Sequence, residues 1–337
     1  MRMHTHKPSS PIHGGDTSSA EKHFGAPRDG WLDLSTGINP NPYPDCVPSR
    51  AALTNLPTSG DLQNLLQVAR RSYGAHETAP ICAAPGTQAL LQVLPSVINA
   101  RGPVAVVSPT YNEHAHLWRL GGAPVIEIDD LNQVGDASVV VIVNPNNPDG
   151  RISNISTLEN LRVALAAKGG LLIIDEAFAD VEPEISMVPQ AGQDGLLVLR
   201  SFGKFFGLAG LRLGFALGTD QLISDLSNRL GPWAVSGAAI EIGSRALADQ
   251  NWINETRQSL ASARQHLDEM VISANLNLVG GTDLFRLTRS ETASAVYEKL
   301  GRAGILVRAF DDRQDWLRFG LPGSEAEFIR LEEALNR

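Results

Sequence analysis

GLLIIDEAF, residues 170–178, sets four large aliphatic side chains in a row and then turns at once to two carboxylates. The apolar run is too short for a buried helix and lacks the alternation of a half-exposed strand. It reads as a strand covered on both faces, with Asp175 emerging at its carboxyl edge. The same form recurs between about Ala79 and Gly218 as PVAVVSP, PVIEID, SVVVIVNP, GLLVLRS and RLGFALG, with helical patterns between. Short buried strands alternating with helices specify an α/β domain with a large, mostly parallel mixed sheet flanked by helices. Loops at the carboxyl ends of such strands are where ligands collect.

Residues 1–50, rich in Pro, Gly, His and Asn, read as an arm packing over the site. Residues 51–235 read as the large α/β domain. Residues 236–337 read as a long linking helix followed by a smaller α+β domain, with strand candidates DLFRLT, GILVRAF and WLRFG. With 337 residues and 43% hydrophobic content, the chain can bury a sizeable core. A formal net charge of −9 argues against nucleic-acid or anionic-membrane partners, so an anionic ligand has to be met by local arginines. Cys46 and Cys82 have neither metal-ligand nor redox spacing, and no metal site is predicted. The opening MRMHTHKPSS lacks an apolar signal core, which together with the cysteine usage predicts a cytoplasmic protein. No apolar run approaches the roughly 20 residues of a membrane helix.

RSFGKFFGLAGLRLGF, residues 200–215, places Lys204 among glycine and aromatic residues, one strand after Asp175. Three readings are open: a lysine in a glycine-rich loop, a phosphate-binding P-loop, and a nucleophilic amine that forms an imine with an aldehyde cofactor. The P-loop needs two glycines at fixed spacing and Ser or Thr after the lysine. Phe205 stands there instead. Asp175 arbitrates between the rest, because both residues emerge at the same sheet edge. An aspartate facing a pyridinium nitrogen keeps that ring protonated, which makes pyridoxal phosphate an electron sink.

A phosphorylated cofactor needs an anion cradle. In AAPGTQALLQVL, Gly86, Thr87 and Gln88 open a helix whose free N–H groups face its N-terminus; the alternative is an ordinary helix start. Ser201 and Arg212 flank Lys204 and add a hydroxyl and a guanidinium. Tyr111 in SPTYNEH reads as a core tyrosine or as a ring laid on the cofactor's face. Asn147 in NPNNPDG reads as a loop residue or as a partner of the ring hydroxyl.

NPNNPDG, DEAF and SFGKFFGLAGLRLG, in this order and spacing, resemble the fold-type I pyridoxal-phosphate enzymes of the aminotransferase class I/II superfamily. The resemblance covers nearly the whole chain. Within the superfamily, HGGD…WLDLSTGINPNPYP, GPWAVSG and GILVRAF are most similar to the threonine-phosphate decarboxylases, with histidinol-phosphate aminotransferases as close relatives. The resemblance makes Lys204 the imine-forming lysine, Asp175 the pyridinium partner, Asn147 the donor to the ring oxygen and Tyr111 the stacking ring. It makes Gly86, Thr87, Gln88, Ser201 and Arg212 the phosphate cradle. Arg318 in WLRFG would grip the substrate carboxylate, Arg308 in VRAF a distal phosphate, and Gly37 and Asn39 on the arm would close the substrate pocket.

The implied activity is decarboxylation of O-phospho-L-threonine in cobalamin biosynthesis, by a homodimer acting on a small phosphorylated amino acid. Two alternatives stay open: a histidinol-phosphate-type aminotransferase, and a cofactor-free binding or regulatory protein on the same fold, against which Lys204 and Asp175 count. Three positions depart from the pattern. Phe178 stands where relatives carry a tyrosine hydroxyl beside the ring oxygen. Leu56 stands where relatives carry a tyrosine reaching the neighbouring subunit's cofactor phosphate. Asp149 replaces the usual threonine, in a turn that tolerates it.

Overall fold

The computed structural model describes residues 14–336. Strand β1 (Leu32–Leu34) comes from the arm. The central sheet follows with β2 (Ile81–Ala84), β3 (Val104–Val107), β4 (Val125–Ile128), β5 (Val139–Val143), β6 (Leu171–Asp175), β7 (Leu196–Ser201) and β8 (Gly214–Leu217). Their order across the sheet is β2-β8-β7-β6-β5-β3-β4. Strands β3 to β7 run parallel, and β8 is antiparallel to both its neighbours.

The unbroken apolar character of these strands has a direct cause in their two faces. Leu172, Ile174, Val140, Ile142 and Val198 point into one apolar cluster, while Ile173, Val139, Val141 and Leu197 point into another on the opposite face. Each face is roofed by helices, so neither parity of the strand is left for polar residues. Truncating one of these side chains, as in Ile174→Ala, removes about 2–5 kcal/mol.

The second sheet contains β9 (Asn277–Thr282), β10 (Phe285–Arg289), β11 (Ile305–Ala309) and β12 (Trp316–Gly320), in the order β1-β11-β12-β10-β9. Three of its strands match the sequence candidates, and two, β1 and β9, were not read from the sequence. The arm therefore contributes an edge strand, parallel to β11, as well as lying near the site. Strand β9 is interrupted as a pattern by Gly280 and Gly281. These glycines are there because the Asp149–Gly150 turn presses against them: a Cβ on Gly280 would lie 2.2 Å from the Asp149 carbonyl oxygen, and one on Gly150 2.1 Å from that of Gly281.

One expectation needs correction. The long linking helix is two helices, Gly237–Ala248 and Gln250–Ser273. Asp249 leaves helical geometry, with φ −83° and ψ 78°, and its carboxylate accepts the Trp252 N–H at 3.0 Å. An aspartate that caps the second helix in this way ends the first. Among the described residues, no helix is long and apolar enough to cross a membrane.

Candidate active site

The carboxyl ends of β5, β6 and β7 open into a cavity of about 310 Å³. Asp175, Lys204, Asn147, Tyr111, Arg212 and Arg318 all line it, as do Gly86, Thr87, Gln88, Ser201, Gly37 and Arg308. Residues from both sheets and from the arm thus meet at one place.

Asp175 is buried at the last position of β6. Its Oδ1 accepts the Ala177 N–H at 3.1 Å, and its Oδ2 lies 3.0 Å from Nε2 of His114, which is also buried. An ionised carboxylate can only accept, so the imidazole presents an N–H there. The His114 ring stands edge-on to that of Tyr111, 5.9 Å between centres. The Tyr111 hydroxyl donates to Gln88 Oε1 at 3.2 Å, and Gln88 Nε2 donates to Glu113 at 2.9 Å. The Gln88 side chain is therefore spent on orienting Tyr111, and only its main chain remains for a cradle.

Lys204 sits in the one-turn helix Phe202–Phe205 directly after β7. Burial, then the positive charge of Arg318, lowers its amine from 10.5 to about 8, with Asp175 opposing and Arg212 adding to the shift. Desolvation favours the neutral amine, the form that acts as a nucleophile. Its Nζ lies 5.8 Å from the centre of the Phe178 ring, which packs edge-on against Phe285.

The residues expected to form the cradle have strained and small backbone. Gly86 precedes helix Thr87–Val97 with φ 83°, and a Cβ there would fall 2.7 Å from Nη2 of Arg212. Arg212 itself holds φ 53°, a left-handed conformation that costs a non-glycine residue of order 1 kcal/mol or more. That conformation brings its guanidinium to the helix N-terminus, where free N–H groups already favour an anion.

Arg308 on β11 and Arg318 on β12 are register partners, directly opposite each other. Burial, then the charge of Arg308, lowers Arg318 to about 9. Arg318 donates from Nη2 to the Ser35 carbonyl at 2.8 Å and from Nη1 to Asn147 Oδ1. With Oδ1 taken, the Asn147 amide nitrogen is the group left to face a ligand. Burial also lowers Arg308, whose guanidinium lies 5.5 Å from the centre of the Phe310 ring.

The model of the family "Aminotransferase class I and II" matches residues 54–335. The chain belongs to this family. Among class I and II aminotransferase relatives, it is 41% identical to the threonine-phosphate decarboxylase of Sinorhizobium sp. over 333 residues, covering 98% of this chain and 99% of that one. It is 40% identical to the threonine-phosphate decarboxylase of Pseudomonas aeruginosa, covering 96% of each. The solved histidinol-phosphate aminotransferase of Sinorhizobium meliloti, in complex with pyridoxal-5'-phosphate, shares the fold with a TM-score of 0.79 at 21% identity. That match covers 99% of this chain and 97% of that one.

Against the family pattern, one residue is placed otherwise. Asn39 was expected to close the substrate pocket, but it is buried beneath the lysine turn. Its Nδ2 donates to the Phe205 carbonyl at 2.9 Å, and its Oδ1 accepts the Asn41 N–H at 2.9 Å. Its main-chain N–H also donates to the Lys204 carbonyl at 2.9 Å, so Asn39 ties the arm to the lysine's own backbone. Gly37 does line the cavity, and a Cβ on it would lie 2.9 Å from both Phe178 and Phe285. Asp149 holds its turn by accepting from Asn146 at 2.7 Å and from the Arg151 main chain at 3.1 Å. Leu56 is exposed.

Sequence reading missed His114, Ser35, Phe310, Asp312, Arg313 and Trp316. A signal existed for His114, which lies three positions after Tyr111, one turn along the chain into helix Glu113–Leu120. None existed for the others, which reach the cavity through strand pairing and a loop.

Proposed function

We propose that this chain is a pyridoxal-phosphate enzyme that removes the carboxylate of O-phospho-L-threonine as carbon dioxide, leaving (R)-1-amino-2-propanol O-2-phosphate for cobalamin biosynthesis. The observation that carries the reading is Arg308 facing Arg318 across two strands in the cavity that holds Lys204 and Asp175. Like charges directly opposite on neighbouring strands are destabilising. A small ligand with two anionic ends, a carboxylate and a phosphate, relieves both. The two relatives at 40 and 41% identity bear the name of that activity.

The residues fit the cofactor. Because Gly86 carries no Cβ, the Arg212 guanidinium packs directly against the helix N-terminus, and the two together suit a phosphate; Ser201 and Thr87 line the same cavity. When bound, pyridoxal phosphate supplies an aldehyde for amines and a ring that accepts the electron pair left at Cα when a bond to that carbon breaks. Asp175, oriented by His114, would hold a proton at the ring nitrogen. Tyr111 would cover one ring face, and the Asn147 amide would donate to the ring oxygen. Lys204, with an amine near pKa 8, exchanges a proton readily close to neutral pH and would return one to Cα from Nζ. Arg318 would hold the carboxylate and Arg308 the phosphate. Decarboxylation requires the carboxylate bond to stand perpendicular to the ring, and anchoring the distal phosphate at Arg308 is what turns a short substrate that way.

The test is to incubate the loaded protein with O-phospho-L-threonine and follow carbon dioxide and the phosphorylated amine. Equal amounts of both are expected, with threonine itself a poor substrate. A keto product without carbon dioxide would replace this reading with an aminotransferase, and a protein that stays colourless with added cofactor would favour a binding protein.

We further infer a cytoplasmic homodimer of three segments: the arm to residue 50, the large domain to 235, and the remainder as the small domain with its two linking helices. Val47, Leu53 and Leu56 expose apolar side chains within and beside helix Arg50–Thr54, a surface of the kind a second copy covers. Cys46 and Cys82 are both free thiols, in keeping with a reducing compartment.

A further inference from the structure

The segment between β11 and β12, AFDDRQDW, carries a further guanidinium to the cavity, beside those of Arg212, Arg308 and Arg318. Arg313 lies 5.4 Å from the centre of the Trp316 ring, and Arg308 lies 5.5 Å from that of Phe310. The two rings touch edge to face, 6.0 Å between centres and 84° apart. All four side chains line the cavity. They form a row of cation, ring, ring and cation along its wall. Stacking on the Trp316 face holds the Arg313 guanidinium in place while its N–H edge can receive an oxyanion.

The charges of Asp311 and Asp312 both act on Arg308, and Asp312 lines the same wall. These two carboxylates offset the guanidinium, so with Arg308 alone this segment would carry no net positive charge. A phosphate monoester is a dianion above its second pKa of about 6.

We propose that Arg313 is a specificity-determining residue that supplies the second positive charge for the substrate's distal phosphate, selecting a dianionic end over a neutral or singly charged one. The inference rests on the reading of the substrate as a phosphorylated amino acid. Arg313 is exposed at the cavity rim, so it acts on capture of the substrate and not on the bond that breaks.

The test compares wild type with Arg313→Gln, Arg313→Lys and Asp312→Asn as holoenzymes, in which the cofactor's own phosphate fills the cradle. For Arg313→Gln, KM for O-phospho-L-threonine should rise about tenfold with kcat within about twofold. The inhibition constant of inorganic phosphate should rise in parallel, and Arg313→Lys should recover most of both. Asp312→Asn should move both constants the opposite way. The fall in kcat/KM below pH 6, as the dianion is lost, should flatten in Arg313→Gln. Unchanged KM and phosphate inhibition would overturn the proposal, as would an equal loss with unphosphorylated threonine. Should the wild type release no carbon dioxide, calorimetric binding of inorganic phosphate to the same four holoproteins still tests the arginine: weaker binding by Arg313→Gln supports it, and equal binding overturns it.

Discussion

Replacing Arg200 with methionine should destabilise the protein by about 3–5 kcal/mol, the usual cost of removing one partner from a buried ion pair. Arg200 is 3% exposed and donates to Glu176 at 2.9 Å and to Asp180 at 2.7 Å; these carboxylates are 0% and 5% exposed. Although burial works against the charged guanidinium, Asp180 and Glu176 raise it above its ordinary value, so it is fully protonated. In Arg200→Met, Glu176 keeps the Ser186 hydroxyl at 2.5 Å and the Met187 N–H at 2.7 Å, while Asp180 loses its guanidinium. Two negative charges are then left without their shared guanidinium, and Arg257, which acts on Asp180 and donates to its main-chain carbonyl at 2.7 Å, offsets only part of that loss. At about 2.1 cal/mol/K per residue, the loss lowers Tm by roughly 4–7 °C for a chain of 337 residues. Thermal unfolding followed by calorimetry reads this directly.

The loss also has a pH signature. Burial already raises the Glu176 carboxyl, and only Arg200 and three hydrogen-bond contributions oppose it. Without Arg200, the folded variant binds a proton at Glu176 more tightly than the unfolded chain does. A group whose folded pKa is raised contributes stability below its unfolded pKa and loses it as pH climbs through the folded value. Arg200→Met should therefore regain stability relative to wild type as pH falls from 7 towards 4. The triple variant Arg200→Met, Glu176→Gln, Asp180→Asn should recover most of the loss at pH 7. A Tm drop under about 1 °C, or a deficit that widens on acidification, would refute the account. The site is involved because Glu176 follows Asp175 and Arg200 precedes Ser201, so this ion pair fastens together the strand ends that carry Asp175 and Lys204.

In the cofactor-free protein, Lys204 should react with an amine-directed acylating reagent along a titration curve centred near pH 8, read by peptide mapping against a surface lysine; a midpoint near 10.5 would contradict the burial and the Arg318 charge assigned to it. Asp175→Asn should keep the fold, since His114 can still donate to an amide oxygen. It should cut carbon dioxide release by about two to three orders of magnitude, and near-normal turnover would make Asp175 a plain strand-end residue.

Much of this protein was legible in one dimension. The buried strands announce themselves because both faces are covered, and each apolar run ends where the sheet ends. Asp175 and Lys204 could therefore be placed at one edge from the sequence, and the DEAF and SFGKFFGLAGLRLG segments carried the family resemblance. Local backbone chemistry was legible for the same reason: Gly86 begins a helix, and Arg212 follows a glycine-rich turn. What depended on tertiary structure is every relation between residues far apart in the chain. His114 meets Asp175 across 61 positions, because the helix after β3 packs beside the edge of β6. Arg308 opposes Arg318 through the register of β11 on β12, and a slip of one residue would have sent each to the other face. Asn39 was expected in the pocket from the family resemblance, yet the arm's path turns its amide onto the Phe205 carbonyl. Arg313 gave no signal at all, since its function depends on a ring three positions along the loop, Trp316, being turned to the cavity. Periodicity and end charges are properties of a segment, whereas register, burial and the meeting of side chains are set by which faces the whole chain can cover at once.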